Sequence, residues 1–225
     1  MLVHIEQVLN SEEVAGCLAQ LAAQDWVDGR VTAGEQSARV KHNLQVSQEA
    51  PAARELGDMI LGRLGKTPAF VSAALPLRVY PPLFNRYDEG MAFGEHVDNA
   101  IRFAGPVRFR TDLSATLFLT EPSDYDGGEL IVEDTFGEHA VKLAAGDMIL
   151  YPASSLHRVA SITRGSRWAA FFWVQSMVRD DGQRSLLYDL DNTIQSLSVP
   201  VGQADAAAVR LTATYNNLLR MWAEV

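Results

Sequence analysis

Cysteine is nearly absent: Cys17 stands alone among 225 residues. One thiol can form neither an internal disulfide nor a thiolate zinc cage, so the chain suits a reducing compartment, with the cytoplasm as the expected location. Positive charge is in deficit. Nineteen Lys and Arg against 28 Asp and Glu leave a formal charge of −9, which argues against nucleic acid or an anionic membrane as the main partner. Long apolar runs are also missing. The longest, Trp168 to Val174, is far short of the roughly 18 residues of a membrane span. The N-terminal MLVHIEQVLN carries an acid and lacks the basic-then-apolar order of a secretory signal. With 9 Pro and 16 Gly, a collagen-like or low-complexity chain does not fit. What is there is 48% hydrophobic, ample for a core, and the length points to one compact domain with an appendage or to two small domains.

Asn10 with Glu13 three residues on reads as a helix cap, and Val14, Leu18 and Leu21 follow at helical spacing until about Gln24. Arg39 to Val46 alternates as a strand, which places Val40, His42, Leu44 and Val46 on one face. Pro51 then opens a second helix carrying Leu56, Met59, Ile60 and Leu64. Residues 1–75 are therefore expected to be a mixed helix and strand region packing on the core. From Val71 to Ser176 the pattern changes to short apolar runs, among them LSATLFL, GELIV, DMILY and RWAAFFWVQ. Turn signals such as Asp126-Gly127-Gly128, Gly146-Asp147 and Arg164-Gly165 separate them. That spacing predicts an all-β barrel or sandwich over residues 76–178. Beyond Asp180 helical periodicity returns, first in Leu186, Leu187, Leu190, Ile194 and Leu197, then in a stripe of Leu211, Tyr215, Leu218, Leu219 and Trp222. The stripe of this 179–225 extension must be covered by the barrel or by a second subunit; the expectation is a homo-oligomer.

Among five histidines, His96 stands out because Asp98 lies two residues on. In extended backbone, residues i and i+2 point to one side, so an imidazole and a carboxylate reach one ion. His157, 59 residues after Asp98, supplies a third ligand at the start of a predicted strand. Two imidazoles and one carboxylate form the facial set that suits non-haem Fe(II) and leaves open positions for a bidentate co-substrate and dioxygen. Ten residues past His157 stands Arg167, on the return strand of the hairpin that turns near Arg164-Gly165. Alternation places Arg167, Ala169, Phe171, Trp173 and Gln175 on one face. A guanidinium heading so apolar a strand is costly to bury without an anion, and its fork grips a carboxylate with two parallel hydrogen bonds. The competing reading of Arg167 is an exposed arginine that merely begins a strand. Charge counting favours the anion: Fe(II) with one carboxylate leaves +1, a dianionic 2-oxo acid takes the site to −1, and Arg167 returns it to zero.

The run Tyr87-x-x-Gly90-x-x-Phe93-x-x-His96-x-Asp98, followed by Gly127-Gly128-Glu129-Leu130, Gly146-Asp147, His157 and Arg167, resembles the Fe(II)- and 2-oxoglutarate-dependent dioxygenases of the prolyl/lysyl hydroxylase type. The match is strongest to the bacterial PKHD-type hydroxylases, often associated with iron uptake. The segments HVDNAIR, DMILYPASSLHRV, RWAAFFWVQS and DGQRSLLYDLDNTIQSL extend it over nearly the whole chain. The resemblance implies a mainly β fold with flanking helices, a double-stranded β-helix or jelly roll with a C-terminal helical extension. It implies Fe(II) held by His96, Asp98 and His157, and 2-oxoglutarate held at its distal carboxylate by Arg167 with help from Tyr87. The implied reaction couples oxidative decarboxylation of 2-oxoglutarate, with O2, to hydroxylation of an unidentified small-molecule or peptidyl substrate, releasing succinate and CO2. L-ascorbate is implied as the reductant that rescues oxidised iron. Two other classes also use such residues: a non-catalytic iron or 2-oxoglutarate sensor, and a cupin-type metal-dependent isomerase or hydrolase.

The remaining candidates are weaker. His139 is the rival third ligand, but no arginine follows it at the clamp spacing. His42 reads as a core or edge histidine, His4 as structural or exposed, and Cys17 as a small buried hydrophobe. The segment Asn99 to Thr111 carries Arg102, Arg108 and Arg110 among aromatics directly after the metal pair. It reads as a lid over an acidic or carboxylate-bearing substrate, with Arg102 the preferred contact, or as a surface loop whose arginines are only solvated. Trp173 reads as core packing or as a wall of the pocket.

Overall fold

The computed structural model describes residues 1–202 and 205–225. Two antiparallel sheets face one another. The larger runs, edge to edge, through Val3–Ile5, Met148–Pro152, Leu113–Phe118, Arg167–Ser176, Leu83–Tyr87, Leu44–Val46 and Trp26–Asp28, with Pro76–Val79 paired to the far end of Arg167–Ser176. The smaller runs through Gly137–Val141, Leu130–Asp134, His157–Val159, Ala92–His96 and Lys41–His42. This is a jelly roll with flanking helices, as the resemblance implies. The first 46 residues contribute strands to both sheets as well as a helix.

The larger sheet has two different faces because its strands alternate. Along Arg167–Ser176, Ala170, Phe172 and Val174 pack with residues of the helices Ser11–Ala22, Pro51–Leu64 and Pro68–Ala74, such as Leu21, Ile60 and Phe70. Each such buried side chain contributes roughly 1.5–3 kcal/mol. The opposite face presents Arg167, Phe171 and Trp173 to a pocket between the sheets. Deeper between the sheets Phe118, Leu130, Val132, Ile149 and Tyr151 form a second core. The first helix begins where the cap predicts: Glu13 N donates to Asn10 Oδ1 and Asn10 N donates to Glu13 Oε2, both at 2.9 Å. It ends at Ala22, slightly earlier than the periodicity implies.

The stretch Arg39 to Val46 departs from the sequence reading. It is two short strands, Lys41–His42 in the smaller sheet and Leu44–Val46 in the larger, because the chain crosses between sheets at Asn43. Val40 and His42 face solvent, whereas Lys41, Asn43 and Gln45 are buried. Lys41 meets the pocket, so the alternation is inverted over Val40 to Asn43, whereas Val46 is buried in the core as the alternation predicts.

At the C-terminal end, Asp181–Val201 and Ala206–Trp222 form a helical pair. Tyr215, Leu218, Leu219 and Trp222 pack on Leu75, Val178 and Leu187, so the predicted stripe is covered largely within its own chain. Arg184, 2% exposed, ties the pair to the barrel by donating to the carbonyls of Val178 and Arg179, each at 2.7 Å. No helix among the described residues is long and apolar enough to cross a membrane. Removing residues 199–225 uncovers Leu75, Val178 and Leu187. The expected result is a fall in Tm of more than about 5 °C, measured by calorimetry; an unchanged Tm would show that the last helix adds nothing to stability.

Candidate functional site

His96 closes the strand Ala92–His96 and His157 opens the strand His157–Val159; the two residues are register partners, with ring centroids 4.2 Å apart. Asp98 lies just beyond the first strand. Ser114, on the facing sheet, donates to Asp98 Oδ2 at 2.6 Å and so fixes the carboxylate across the gap between the sheets. One ligand atom from each of His96, Asp98 and His157 lies within 4.8 Å of the others, and Asp98 Oδ2 is 3.8 Å from His157 Nε2.

The hydrogen bonds also fix the tautomers. His96 Nδ1 lies 2.9 Å from the Gly94 carbonyl and His157 Nδ1 lies 3.0 Å from the Ser155 carbonyl. A carbonyl only accepts, so each Nδ1 carries the proton and donates. Each Nε2 is left with a lone pair. Burial, followed by the neighbouring His157, holds the His96 imidazolium well below the ordinary histidine range, so this ring is neutral at pH 7. Phe93 stacks on it with centroids 3.6 Å apart. Two imidazole nitrogens plus one carboxylate oxygen are a donor set that fits a divalent iron ion.

Arg167 is 1% exposed, which disposes of the exposed-strand reading. It sits opposite Tyr87 in register, with its guanidinium 5.5 Å from the Tyr87 ring and 5.0 Å from the Phe118 ring. Its Nε has no hydrogen-bond partner, and no carboxylate pairs with it among the described residues. Arg167 and the three ligand candidates line one pocket. Gly128 helps the long side chain fit: it has φ +69°, and a Cβ there would collide first with the Ile162 side chain and would also lie 3.1 Å from the Tyr125 ring and 3.2 Å from Arg167 Cδ. Tyr87 lines the same pocket, and burial pushes its hydroxyl up to about 12, so it stays a neutral phenol able to donate.

Arg102 reaches this pocket, but Arg108 and Arg110 do not. The segment Asn99 to Thr111 is a hairpin of Ile101–Ala104 and Val107–Arg110. From it Arg102 lies over the Trp173 ring at 3.9 Å, and its Nη2 donates to the Thr32 carbonyl at 3.4 Å. Trp173 is thus a wall of the pocket. Arg108 is exposed, and Arg110 bonds Asp112 at 2.7 Å and Glu224 at 3.0 Å. His139 is half-buried on an edge strand with Asp134 at 2.9 Å, and it is not among the residues that converge with His96, Asp98 and His157. His4 is half-exposed and meets Asp147 at 2.8 Å. Cys17 is buried, and its thiol is pushed up to about 11 by that burial.

The sequence reading missed Ser114, which hides in the all-buried run Leu113–Phe118, and Lys41, which lines the pocket at 6% exposure. A charged residue alternating with apolar ones at Lys41 was the available signal.

Fold and site together define a 2-oxoglutarate- and Fe(II)-dependent oxygenase. Residues 82–175 match the model of the 2OG-Fe(II) oxygenase superfamily. The same fold recurs in HygX from Streptomyces hygroscopicus with nickel and 2-oxoglutarate bound (TM-score 0.52, 16% identity, covering 76% of this chain and 81% of that one). It recurs in a prolyl hydroxylase from Trichoplax adhaerens in complex with a hypoxia inducible factor peptide fragment (TM-score 0.54, 13% identity, covering 82% and 86%). Residues 181–224 match the PKHD-type hydroxylase C-terminal domain. The chain is 60% identical over 227 residues to the PKHD-type hydroxylase of Methylobacterium nodulans, covering all of both chains. It belongs to the PKHD-type hydroxylase family, and is a 2-oxoglutarate-dependent dioxygenase.

Gly128→Ala forces a left-handed backbone on alanine and drives a methyl group into the Ile162 side chain, with Tyr125 and Arg167 close behind. It should cost about 1–3 kcal/mol of stability, read by denaturant unfolding. Unfolding at the wild-type midpoint would show that the side chains around Gly128 have room to move.

Proposed function

We propose that His96, Asp98 and His157 hold Fe(II), that Arg167 and Tyr87 hold 2-oxoglutarate, and that the enzyme hydroxylates a small-molecule or peptidyl substrate over Arg102. The observation that carries this reading is Arg167: a buried guanidinium with no carboxylate of its own, in the pocket that the three ligand candidates share. Bound iron would supply the activation of dioxygen that couples decarboxylation of 2-oxoglutarate, to succinate and CO2, with hydroxylation of the substrate. The chain's own contribution is position. Gly94 and Ser155 carbonyls orient the two imidazoles, and Ser114 orients the carboxylate. Arg167 receives the distal carboxylate with paired donors, and the Tyr87 hydroxyl adds a neutral one. The rings of Tyr87 and Phe118 beside the guanidinium keep water from screening that contact.

The same reading takes residues 76–178 as the catalytic jelly roll, 1–75 as its packing region and 179–225 as the helical extension. Ascorbate as a reductant of oxidised iron, a cytoplasmic location and a role in iron uptake rest on the resemblance and on composition. A homo-oligomer rests on the apolar side chains the C-terminal helix leaves outside, Val209 at 52% and Met221 at 74% exposure.

Two measurements test the assignment. In anaerobic Fe(II) titrations His157→Ala should lose tight binding, because two ligands chelate weakly, whereas His139→Ala should keep it; the reverse order refutes the ligand set. Under oxygen the wild type should then convert 2-oxoglutarate to succinate. Binding without turnover would favour a sensor, and no 2-oxoglutarate binding a cupin-type isomerase or hydrolase.

Arg167→Lys keeps the charge and loses the fork. A hydrogen bond to a charged group contributes roughly 1.5–3 kcal/mol, so affinity for 2-oxoglutarate should fall about 10- to 150-fold while iron binding stays intact. Pyruvate, which has no distal carboxylate, should be a poor co-substrate for the wild type and suffer little further. Equal losses for both co-substrates would show that Arg167 acts through general structure.

A further inference from the structure

Lys41 is a charge in the pocket for which iron and 2-oxoglutarate provide no use. Its ammonium lies 5.2 Å from the Phe93 ring centroid and 5.7 Å from that of Phe171, and it donates one hydrogen bond, to Thr32 Oγ1 at 3.1 Å. An ammonium has three donors. Arg102 converges on the same residue, through the Thr32 carbonyl, and its buried Nε has no partner. The two cations stand close enough that Arg102, after burial itself, helps push Lys41 down to about 8. Lys41 is therefore still mainly charged at pH 7, held beside a like charge. Neither side chain has a carboxylate partner among the described residues. Asp98 attracts Lys41, but it is engaged by Ser114 and belongs to the proposed ligand set.

Charge balance separates this pair from the co-substrate clamp. Fe(II), Asp98, dianionic 2-oxoglutarate and Arg167 sum to zero. Lys41 and Arg102 remain as two positive charges on a pocket walled by Phe93, Phe171 and Trp173. A buried ammonium and a half-buried guanidinium crowded together and short of acceptors call for an anion. The adjoining outer groove carries Val31 at 73%, Ile101 at 50% and Phe103 at 61% exposure, beside Thr32 and Arg102. Those side chains suit an apolar body attached to the anionic group.

We infer that Lys41 and Arg102 form the anion subsite for the primary substrate, which carries a carboxylate or phosphate group on an apolar body. The inference rests on the proposed function for the assignment of Arg167 to the co-substrate. Its test uses protein loaded with Mn(II) and 2-oxoglutarate without oxygen. Short ω-phenylalkanoates of increasing length, the matching phosphate monoesters and the neutral amides are titrated, and binding is followed by calorimetry and tryptophan fluorescence.

At least one charged probe should bind about tenfold or more tightly than its amide, and the stronger of the acid and phosphate series identifies the group. Lys41→Met and Arg102→Met should each remove that preference, and Lys41→Arg should restore most of it. Affinities for Mn(II) and 2-oxoglutarate should stay at the wild-type values, which also reports that the variants are folded. The inference is overturned if no probe binds, if charged and neutral probes bind alike, or if the preference survives both methionine substitutions. It is overturned equally if Lys41→Met weakens 2-oxoglutarate itself, since the lysine then belongs to the co-substrate. An unchanged 2-oxoglutarate affinity in Arg167→Lys alongside an intact anion preference would instead sink the co-substrate assignment and leave the subsite standing.

Discussion

A guanidinium buried without an internal counter-ion is the constraint around which this fold is arranged. Removing a lone charge from water costs several kcal/mol even after relaxation. Arg167 nevertheless sits at 1% exposure on a central strand of the larger sheet. Its surroundings limit that cost and keep the guanidinium available. Two aromatic rings lie beside the cation, and Gly128, with positive φ, leaves room for its stem. A carboxylate from the protein in that place would be more stabilising, but it would occupy the donors. Such a local instability is what the proposed binding of an external dianion would relieve.

The larger sheet tolerates this because its two faces have separate tasks. Helices cover one face with Leu21, Ile60 and Phe70 against Phe172 and Val174. The other face is therefore free to be polar where it meets the smaller sheet. His96 and His157 stand on neighbouring strands of that smaller sheet, and Ser114 reaches Asp98 from the larger. The proposed metal set thus depends on the separation of the sheets, which the intervening core of Phe118, Leu130 and Tyr151 sets. A change in that core would be felt as misplacement of a carboxylate.

Much of the site was legible in the sequence because its chemistry is written at fixed local spacings. His96 and Asp98 are two residues apart in extended backbone, and Arg167 follows His157 across one hairpin. Alternation placed Arg167, Phe171 and Trp173 together, and the three share the pocket. The same rule misplaced Arg39 to Val46, because it assumes that the apolar side of a strand is the inner side. There Lys41, Asn43 and Gln45 are buried and His42 is exposed, since Lys41 enters a pocket and not a hydrophobic core, although Val46 further on does join the core. Ser114 was hidden for the opposite reason. It is a small residue in a run buried on both faces, where periodicity carries no information.

Inverted alternation is itself informative once the fold is known. A segment that buries a lysine and two amides while exposing Val40 forfeits some hydrophobic stabilisation. Asn43 and Gln45 still hold amide groups without partners, as does Asn85 on the adjacent strand. Unsatisfied buried amides are destabilising at about 1–3 kcal/mol each, so a sequence selected for stability alone would not collect them along one wall. Their concentration beside Lys41 and Arg102 marks this side of the barrel as the one shaped by what enters it. The Arg167 end, with its single unpaired cation, is the proposed place of one small dianion. The Lys41 side adjoins, through Thr32 and Arg102, the groove of Ile101 and Phe103. Within one pocket the two ends impose different chemistries, which is the requirement for an enzyme that must hold a constant co-substrate and a separate substrate at the same time.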